Sequence, residues 1–341
     1  MNRDEPIGVV GAGSWGTALA WVLGQQEIPV RLWGRNREGV AQMARERVNR
    51  RYLPDTLLPD HVLPTAELDA LKECSLLVLA VPSGAIREVA SRLPMGGRLW
   101  VIAAKGLEPN TGKRLSEVVQ EVSGLPLAQL TVLSGPNLAG EIVRGIPTAT
   151  VVASVNAEAA EYVQQLFMTP TLRVYTNDDL IGVELGGALK NVYAIGAGVS
   201  DGLGFGDNTK GALLTRGLAE MMRLGAVMGA CPETFMGLTG VGDLFATAVS
   251  RLSRNYRLGY AIAQGASPAE ALQQLGQVAE GYPTALAAEA LARQHQVEMP
   301  LLNAIASLLR GQCRVRDALQ SLMTRPPKGE REFRFVRQLP T

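Results

Sequence analysis

The sequence is poor in the residues that hold metals or build disulfide frameworks. Its 341 residues include 3 cysteines and 2 histidines. Cys74, Cys231 and Cys313 are far apart and odd in number, which argues against a disulfide scaffold and for free buried thiols in a reducing cytoplasm. His61 and His295 lack ligand-like spacing to each other or to a cysteine, so no metal site is expected. Neither sign of charge is in excess: 33 Lys and Arg stand against 32 Asp and Glu, a formal net charge of +1. That balance gives no electrostatic case for nucleic acid or an anionic membrane as partner. No stretch reaches about 18 consecutive apolar residues, so no membrane insertion is expected. The opening M-N-R-D-E-P runs straight into an apolar segment, and no signal peptide is read there. Internal repeats and low-complexity tracts are missing too. What remains is an ordinary globular balance, 47% hydrophobic and 19% charged, in a chain long enough for two domains.

The densest signal is Ile7 to Leu23. A short apolar run, Ile7 to Val10, predicts a buried parallel strand. It meets Gly11, Gly13 and Gly16 in a G-x-G-x-x-G spacing. Ala18, Leu19, Val22 and Leu23 then recur at helical spacing. Strand, glycine turn and helix in this order predict a dinucleotide site. Gly11 makes the turn, Gly13 lets a pyrophosphate approach the backbone, and Gly16 lets the helix pack on the sheet. The helix N-terminus offers free N–H groups to the phosphates. A purely structural glycine turn is the alternative.

Val30 to Trp33 predicts the second strand. At its end, where an NAD site usually carries Asp or Glu, stand Arg35 and Arg37. A guanidinium can hold a 2′-phosphate bidentately, so NADP(H) is preferred and NAD(H) remains open. Two solvated loop arginines are the alternative. A proline-rich loop follows from Asn49, with Pro54, Pro59 and Pro64. Further strands are read at Ser75–Val81, Leu99–Ala104, Thr131–Leu133, Thr148–Ser154 and Leu172–Tyr175, with helices at Ile86–Leu93 and Ala157–Leu166. Lys105 sits at a strand's carboxyl end, where ligands bind in doubly wound sheets, a candidate contact for an anion or carbonyl oxygen; a solvated loop lysine is the alternative.

The alternation stops near Asp178–Asp179, and from Ile181 the pattern is helical. Val183 to Gly198 is apolar and rich in small residues, with one cation, Lys190. A lysine in such surroundings has its pKa lowered toward working pH, which suits a general acid/base; a lysine snorkelling to water is the alternative. Gly186 and Gly187 weaken that helix, which suggests a close approach. Asn208–Thr209 reads as the cap of a helix reaching Met228. Gly237 to Asp243 reads as a glycine-rich turn presenting one carboxylate, to a ligand or to the next helix. Ser250 to Arg257 supplies hydroxyls, an amide and guanidiniums at a loop-to-helix junction, a fitting phosphate site; a solvated basic face is the alternative for Arg251 and Arg257. Ser267 to Glu270 is a capping box. Helices are read near Pro283–His295, Pro300–Arg310 and Arg316–Met323, and the tail from Pro326 as loosely held.

Taken together, G-A-G-S-W-G-T-A-L-A, L-W-G-R, N-R-R-Y-L-P, A-A-K-G-L-E, S-G-P-N-L-A-G-E, E-L-G-G-A-L-K-N-V-Y-A-I, G-L-T-G-V-G-D-L, S-R-L-S-R-N and V-A-E-G resemble the bacterial NAD(P)-dependent glycerol-3-phosphate dehydrogenases, in order and over nearly the whole chain. The resemblance implies an N-terminal Rossmann-like α/β domain with a mostly parallel sheet over 1–180 and an all-helical C-terminal domain over 181–341. It implies reversible reduction of dihydroxyacetone phosphate to sn-glycerol 3-phosphate for phospholipid synthesis, in the cytoplasm. By the same resemblance, Ser14, Trp15, Arg35, Ala139, Val278 and Glu280 contact the cofactor beside the glycines, and Lys105 and Arg254 contact both cofactor and substrate. Gly135, Asn137, Asp243, Ser253 and Asn255 line the substrate pocket, with Arg254 and Asn255 on the phosphate, and Lys190 is the acid/base. G-P-N-L-A-G-E departs from the family, which more often has Ser or Thr then Phe after the proline, and Lys before the glutamate. The helical domain could support a homodimer. Two other readings stand beside this one: a β-hydroxyacid or ketopantoate-type reductase, and a redox-sensing NADP(H)-binding regulator without catalysis. The Ser-Arg-Asn cluster favours a phosphorylated substrate over the first. Lys190, Lys105 and Asp243 would have no purpose in the second.

Overall fold

The computed structural model describes residues 5–93 and 98–330. The chain opens with β1 (Ile7–Val10), α1 (Ser14–Gln25), β2 (Val30–Trp33), α2 (Arg37–Glu46), β3 (Val48–Asn49), β4 (Leu53–Leu57) and β5 (Val62–Thr65). It continues with β6 (Leu76–Leu79), α3 (Ile86–Ala90), β7 (Leu99–Ile102), α4 (Leu115–Ser123), β8 (Leu130–Ser134), α5 (Ala139–Ile142), β9 (Thr148–Ala153), α6 (Ala157–Phe167) and β10 (Leu172–Asn177). Eight strands form one sheet in the order β10-β9-β8-β7-β6-β1-β2-β5. Every pairing is parallel except β8 with β9, so the last two strands run against the other six.

The central strands β1, β6 and β7 are wholly buried, which is why they read as continuous apolar runs rather than alternating ones. Alternate residues serve opposite faces. Val9, Val78 and Val101 pack with Leu19, Leu23, Val163 and Phe167 of α1 and α6. Val10, Leu79 and Ile102 pack with Ile86, Val118 and Val119 of α3 and α4. The predicted glycine roles are visible in the backbone. Gly11 has φ +121, and a Cβ on Gly16 would lie 1.9 Å from the Gly11 carbonyl oxygen.

The rest is helical: α7 (Leu180–Gly202), α8 (Asp207–Val227), a π-helical turn at Leu238–Gly242, α9 (Asp243–Val249), α10 (Arg254–Ala263), α11 (Pro268–Leu275), α12 (Gly281–Gln294), α13 (Pro300–Leu309) and α14 (Val315–Met323). Asp179 caps α7, its side chain accepting from the Gly182 N–H, and nearly all of α7 is buried. α10 lies directly against it. A Cβ on Gly259 would sit 1.9 Å from the Ile195 carbonyl oxygen, and one on Gly198 2.0 Å from that of Tyr256. Backbone therefore meets backbone between the helix that carries Lys190 and the helix that begins at Arg254.

Some expectations are corrected. The proline-rich loop from Asn49 contains the β3–β4 hairpin and the edge strand β5. Pro64 is tolerated there because an edge strand needs no donor on its open side. Asn208 and Thr209 do not cap α8; the helix starts at Asp207 after Gly206, whose extended backbone serves as N-cap without a side-chain bond. Residues 237–243 are not a simple turn but a π-helical turn running into α9. Of the three thiols expected to be buried, only Cys74 is; Cys231 is exposed and Cys313 half-buried, both on the helical side of the chain. The predicted tail lies largely outside the described residues, from 331 onward.

Candidate active site

The carboxyl ends of the sheet face the start of the helical region, and three charged side chains meet there. Lys105 follows β7, Lys190 lies on α7, and Asp243 opens α9. One Asp243 oxygen, Oδ2, accepts from Lys105 Nζ at 2.8 Å, and the other, Oδ1, accepts from Lys190 Nζ at 2.9 Å. All three are largely withdrawn from water, with side-chain exposures of 14%, 8% and 2% for Lys105, Lys190 and Asp243. Burial raises the Asp243 pKa, but Lys105 and Lys190 outweigh it and the carboxyl ends below its usual range. Lys190 moves the other way. Burial lowers it, Asp243 restores part of the loss, Lys105 opposes, and the ammonium ends at about 8 against an ordinary 10.5.

Lys190 also donates to Thr247 Oγ1 at 2.7 Å, and Thr247 donates to Asp243 Oδ1 at 3.1 Å. The ammonium has three protons, so one N–H remains beyond Asp243 and Thr247. Lys105 donates to the Gly135 carbonyl at 2.7 Å. Gly186 and Gly187 admit protein rather than a ligand: a Cβ on the first would meet the Thr239 carbonyl oxygen at 2.9 Å, and on the second Ser134 Oγ at 2.3 Å.

Arg254 is the first residue of α10, and Ser253 is its N-cap, accepting from the Tyr256 N–H. Arg254 is exposed as a residue but its guanidinium is partly withdrawn from water, which lowers its pKa, and it makes no hydrogen bond or ion pair among the described residues. Asn255 is buried and committed: its amide donates to Asn191 Oδ1 at 2.7 Å, and its carbonyl accepts from the Gly281 N–H at 2.9 Å. Asn137 accepts from Thr150 Oγ1 at 3.0 Å and stays half-buried.

The glycine-loop end of the sheet is built differently. Gly13 caps α1, nothing lies within 4 Å of a Cβ placed on it, and the first turn of α1 has no acid. Ser14 and Trp15 begin the helix, and the Trp15 indole N–H donates to the Ala103 carbonyl at 3.0 Å. Arg35 projects from the turn after β2, exposed and unpaired among the described residues, whereas Arg37 is taken by Glu67 at 2.9 Å. Ala139 starts α5, Val278 is 46% exposed, and Glu280 immediately precedes α12. Burial raises the Glu280 pKa, while hydrogen bonds from Ser83 and the charge of Arg254 pull it down.

Sequence reading missed four partners. Thr247 and Asn191 sit within apolar helical runs and read as filler. Ser83 follows a strand without any pattern to mark it. Asn49, whose amide donates to the Ala12 carbonyl at 3.0 Å and to Thr17 Oγ1 at 2.8 Å, braces the glycine loop from 32 residues away or more. Among the described residues, no group of three His, Cys, Asp or Glu could hold a metal ion, and no helix is long and apolar enough to cross a membrane. A separate cavity of about 370 Å³ between α10 and α11 shares no residue with this site.

Comparison with known proteins agrees on one family. Models described as the NAD-dependent glycerol-3-phosphate dehydrogenase N-terminus and C-terminus match residues 6–160 and 179–320. The glycerol-3-phosphate dehydrogenase [NAD(P)+] of Desulfitobacterium hafniense is 49% identical over 329 residues, covering 96% of this chain and 93% of its own. That of Geobacillus kaustophilus is 49% identical over 331 residues, covering 96% of each. A crystal structure of glycerol-3-phosphate dehydrogenase from Coxiella burnetii superposes with a TM-score of 0.91 at 40% identity, covering 95% of this chain and 100% of that one. A ketopantoate reductase from Ralstonia eutropha, at 14% identity and a TM-score of 0.61, covering 92% of this chain and 99% of that one, shares the fold alone.

Proposed function

The chain belongs to the NAD-dependent glycerol-3-phosphate dehydrogenase family, and on that footing we propose that it reduces dihydroxyacetone phosphate reversibly to sn-glycerol 3-phosphate, with Lys190 as the proton donor. The observation that carries the chemistry is the buried Lys190–Asp243–Lys105 cluster, whose Lys190 ammonium sits at about 8. A donor near the working pH is present in the protonated form and still gives its proton up readily.

The residues at the sheet edge fit a dinucleotide: the open space over Gly13, the acid-free first turn of α1 and Arg35, unpaired among the described residues. Gly11, Gly13, Ser14, Trp15 and Gly16 would hold the pyrophosphate end, with Ala139, Val278 and Glu280 along the rest. When bound, the dihydronicotinamide supplies a hydride to the substrate carbonyl carbon. Preference for NADPH is our reading of Arg35, since Arg37 is already committed to Glu67.

On the protein side, Lys190 keeps one N–H free of Asp243 and Thr247 and aims it at the carbonyl oxygen. As negative charge grows there, that proton passes to the oxygen and Lys190 is left neutral. Lys105 stabilises the same oxygen electrostatically. Arg254, at the N-terminus of α10 beside Ser253 and Asn255, takes the phosphate, whose fixed position orients the distant carbonyl. Gly135 and Asn137 line the same pocket from the end of β8. We divide the chain near residue 180 into a cofactor half and a catalytic half, and assign the enzyme to the cytoplasm, where its free cysteines stay reduced. The test is oxidation of NADPH and of NADH, followed by absorbance, with dihydroxyacetone phosphate against unphosphorylated dihydroxyacetone. Turnover of the phosphate alone supports the reading. Cofactor binding without turnover of either refutes it.

A further inference from the structure

Ser83 follows Pro82 beyond the carboxyl end of β6, the strand next to β1 and its glycine loop. It is 1% exposed. Across 197 residues of sequence, its backbone N–H donates to Glu280 Oε1 at 3.0 Å and its hydroxyl to Glu280 Oε2 at 2.6 Å. Both carboxylate oxygens are thus anchored, which fixes the plane of the group. The contact is also enclosed: a Cβ on Gly106, which has φ +156 and follows Lys105, would fall 2.8 Å from Ser83 Cβ and 3.2 Å from Glu280 Oε2.

Beside this carboxylate stands Arg254. The two attract each other, yet they form no ion pair, and the Arg254 guanidinium has no partner among the described residues. The neighbourhood is set by the chain: Gly281, next to Glu280, donates its N–H to the side chain of Asn255, next to Arg254, at 2.9 Å. Both Glu280 oxygens are engaged by Ser83 instead.

We propose that Ser83 is a positioning residue that keeps Arg254 free for the substrate phosphate, by holding Glu280 across the junction between sheet and helices. The inference rests on the reading above that Arg254 takes the phosphate. Without the Ser83 hydroxyl, Glu280 turns to Arg254 and competes with the anion. A hydrogen bond to a charged group is lost, an effect of roughly ten-fold on anion binding.

The test is a double-mutant cycle read as KM for dihydroxyacetone phosphate at saturating cofactor. Ser83→Ala is expected to raise KM about ten-fold with kcat within about two-fold. In a Glu280→Gln background, whose neutral amide cannot pair with Arg254, the same Ser83→Ala change is expected to leave KM where Glu280→Gln puts it. A merely structural serine would act equally in both backgrounds, and equal effects overturn the proposal, as does an unchanged KM in Ser83→Ala alone. Arg254→Ala is the separate control. A wild-type KM in that variant overturns the phosphate assignment itself, whatever Ser83 does.

Discussion

Replacing Lys190 by methionine should make the protein more stable while removing its activity. Lys190 is 6% exposed, and methionine fills similar volume without charge. The fall of the ammonium from 10.5 to about 8 corresponds, at about 1.4 kcal/mol per pH unit, to a cost of about 3 kcal/mol for carrying that charge in the fold at neutral pH. Methionine removes the cost and leaves Asp243 with Lys105 and Thr247 as donors. Thermal unfolding at pH 7 should shift upward on the order of 5 °C, while kcat for dihydroxyacetone phosphate falls by about 10²–10⁴. The sign of the pH dependence is fixed by linkage. Between about 8 and 10.5 the unfolded chain binds the Lys190 proton and the folded chain does not, so wild-type stability gains on the variant as pH rises through that window. The two unfolding curves should converge near its top. A variant that melts several degrees below wild type at pH 7, with secondary structure intact, would refute the claim that the charge is carried at a cost. Wild-type kcat would remove Lys190 from proton transfer.

The two directions of the reaction should respond oppositely to pH: ketone reduction needs the Lys190 ammonium and falls above about 8, whereas alcohol oxidation needs the free amine and rises through the same region. Steady-state profiles of both directions check this, and parallel limbs would count against it. Asp243→Asn leaves two buried ammoniums without their counter-charge, so a loss of about 3–5 kcal/mol in denaturant unfolding and a reduction limb moved below pH 8 are expected. Arg35→Ala should lower kcat/KM for NADPH by about 10- to 100-fold and leave NADH within about two-fold; equal losses with both cofactors would end the 2′-phosphate argument. Gly259→Ala forces a methyl to 1.9 Å from the Ile195 carbonyl oxygen, with an expected loss of about 2–3 kcal/mol and a raised substrate KM as the start of α10 shifts.

The features legible in the sequence were those whose signals are local. Gly11 to Gly16 between an apolar strand and an apolar helix announce themselves within a dozen residues, and the buried strands β1, β6 and β7 are continuous apolar runs. Lys190 stood out because a cation inside Val183–Gly198 must answer for its desolvation. Pairings made in space left no such trace. β5 carries Pro64 and was hidden by it, and the reversal of β9 against β8 cannot be seen in a composition shared by parallel strands. Asp243 was recognised as an isolated carboxylate, but nothing local says that it lies between two lysines 138 and 53 residues away. Thr247, Asn191 and Ser83 are small polar residues, and only the tertiary fold gives them partners.

The direct contact of α7 with α10 has a consequence for engineering. In the reaction proposed above, the substrate would have to match the span from Lys190 to Arg254, which is set where main chain rests on main chain at Gly198 and Gly259. That contact leaves the apolar residues around the crossing little scope to stretch it. The helix pair is a gauge of fixed length, and an enzyme for longer or shorter phosphorylated ketones would have to exchange the helix rather than repack the core.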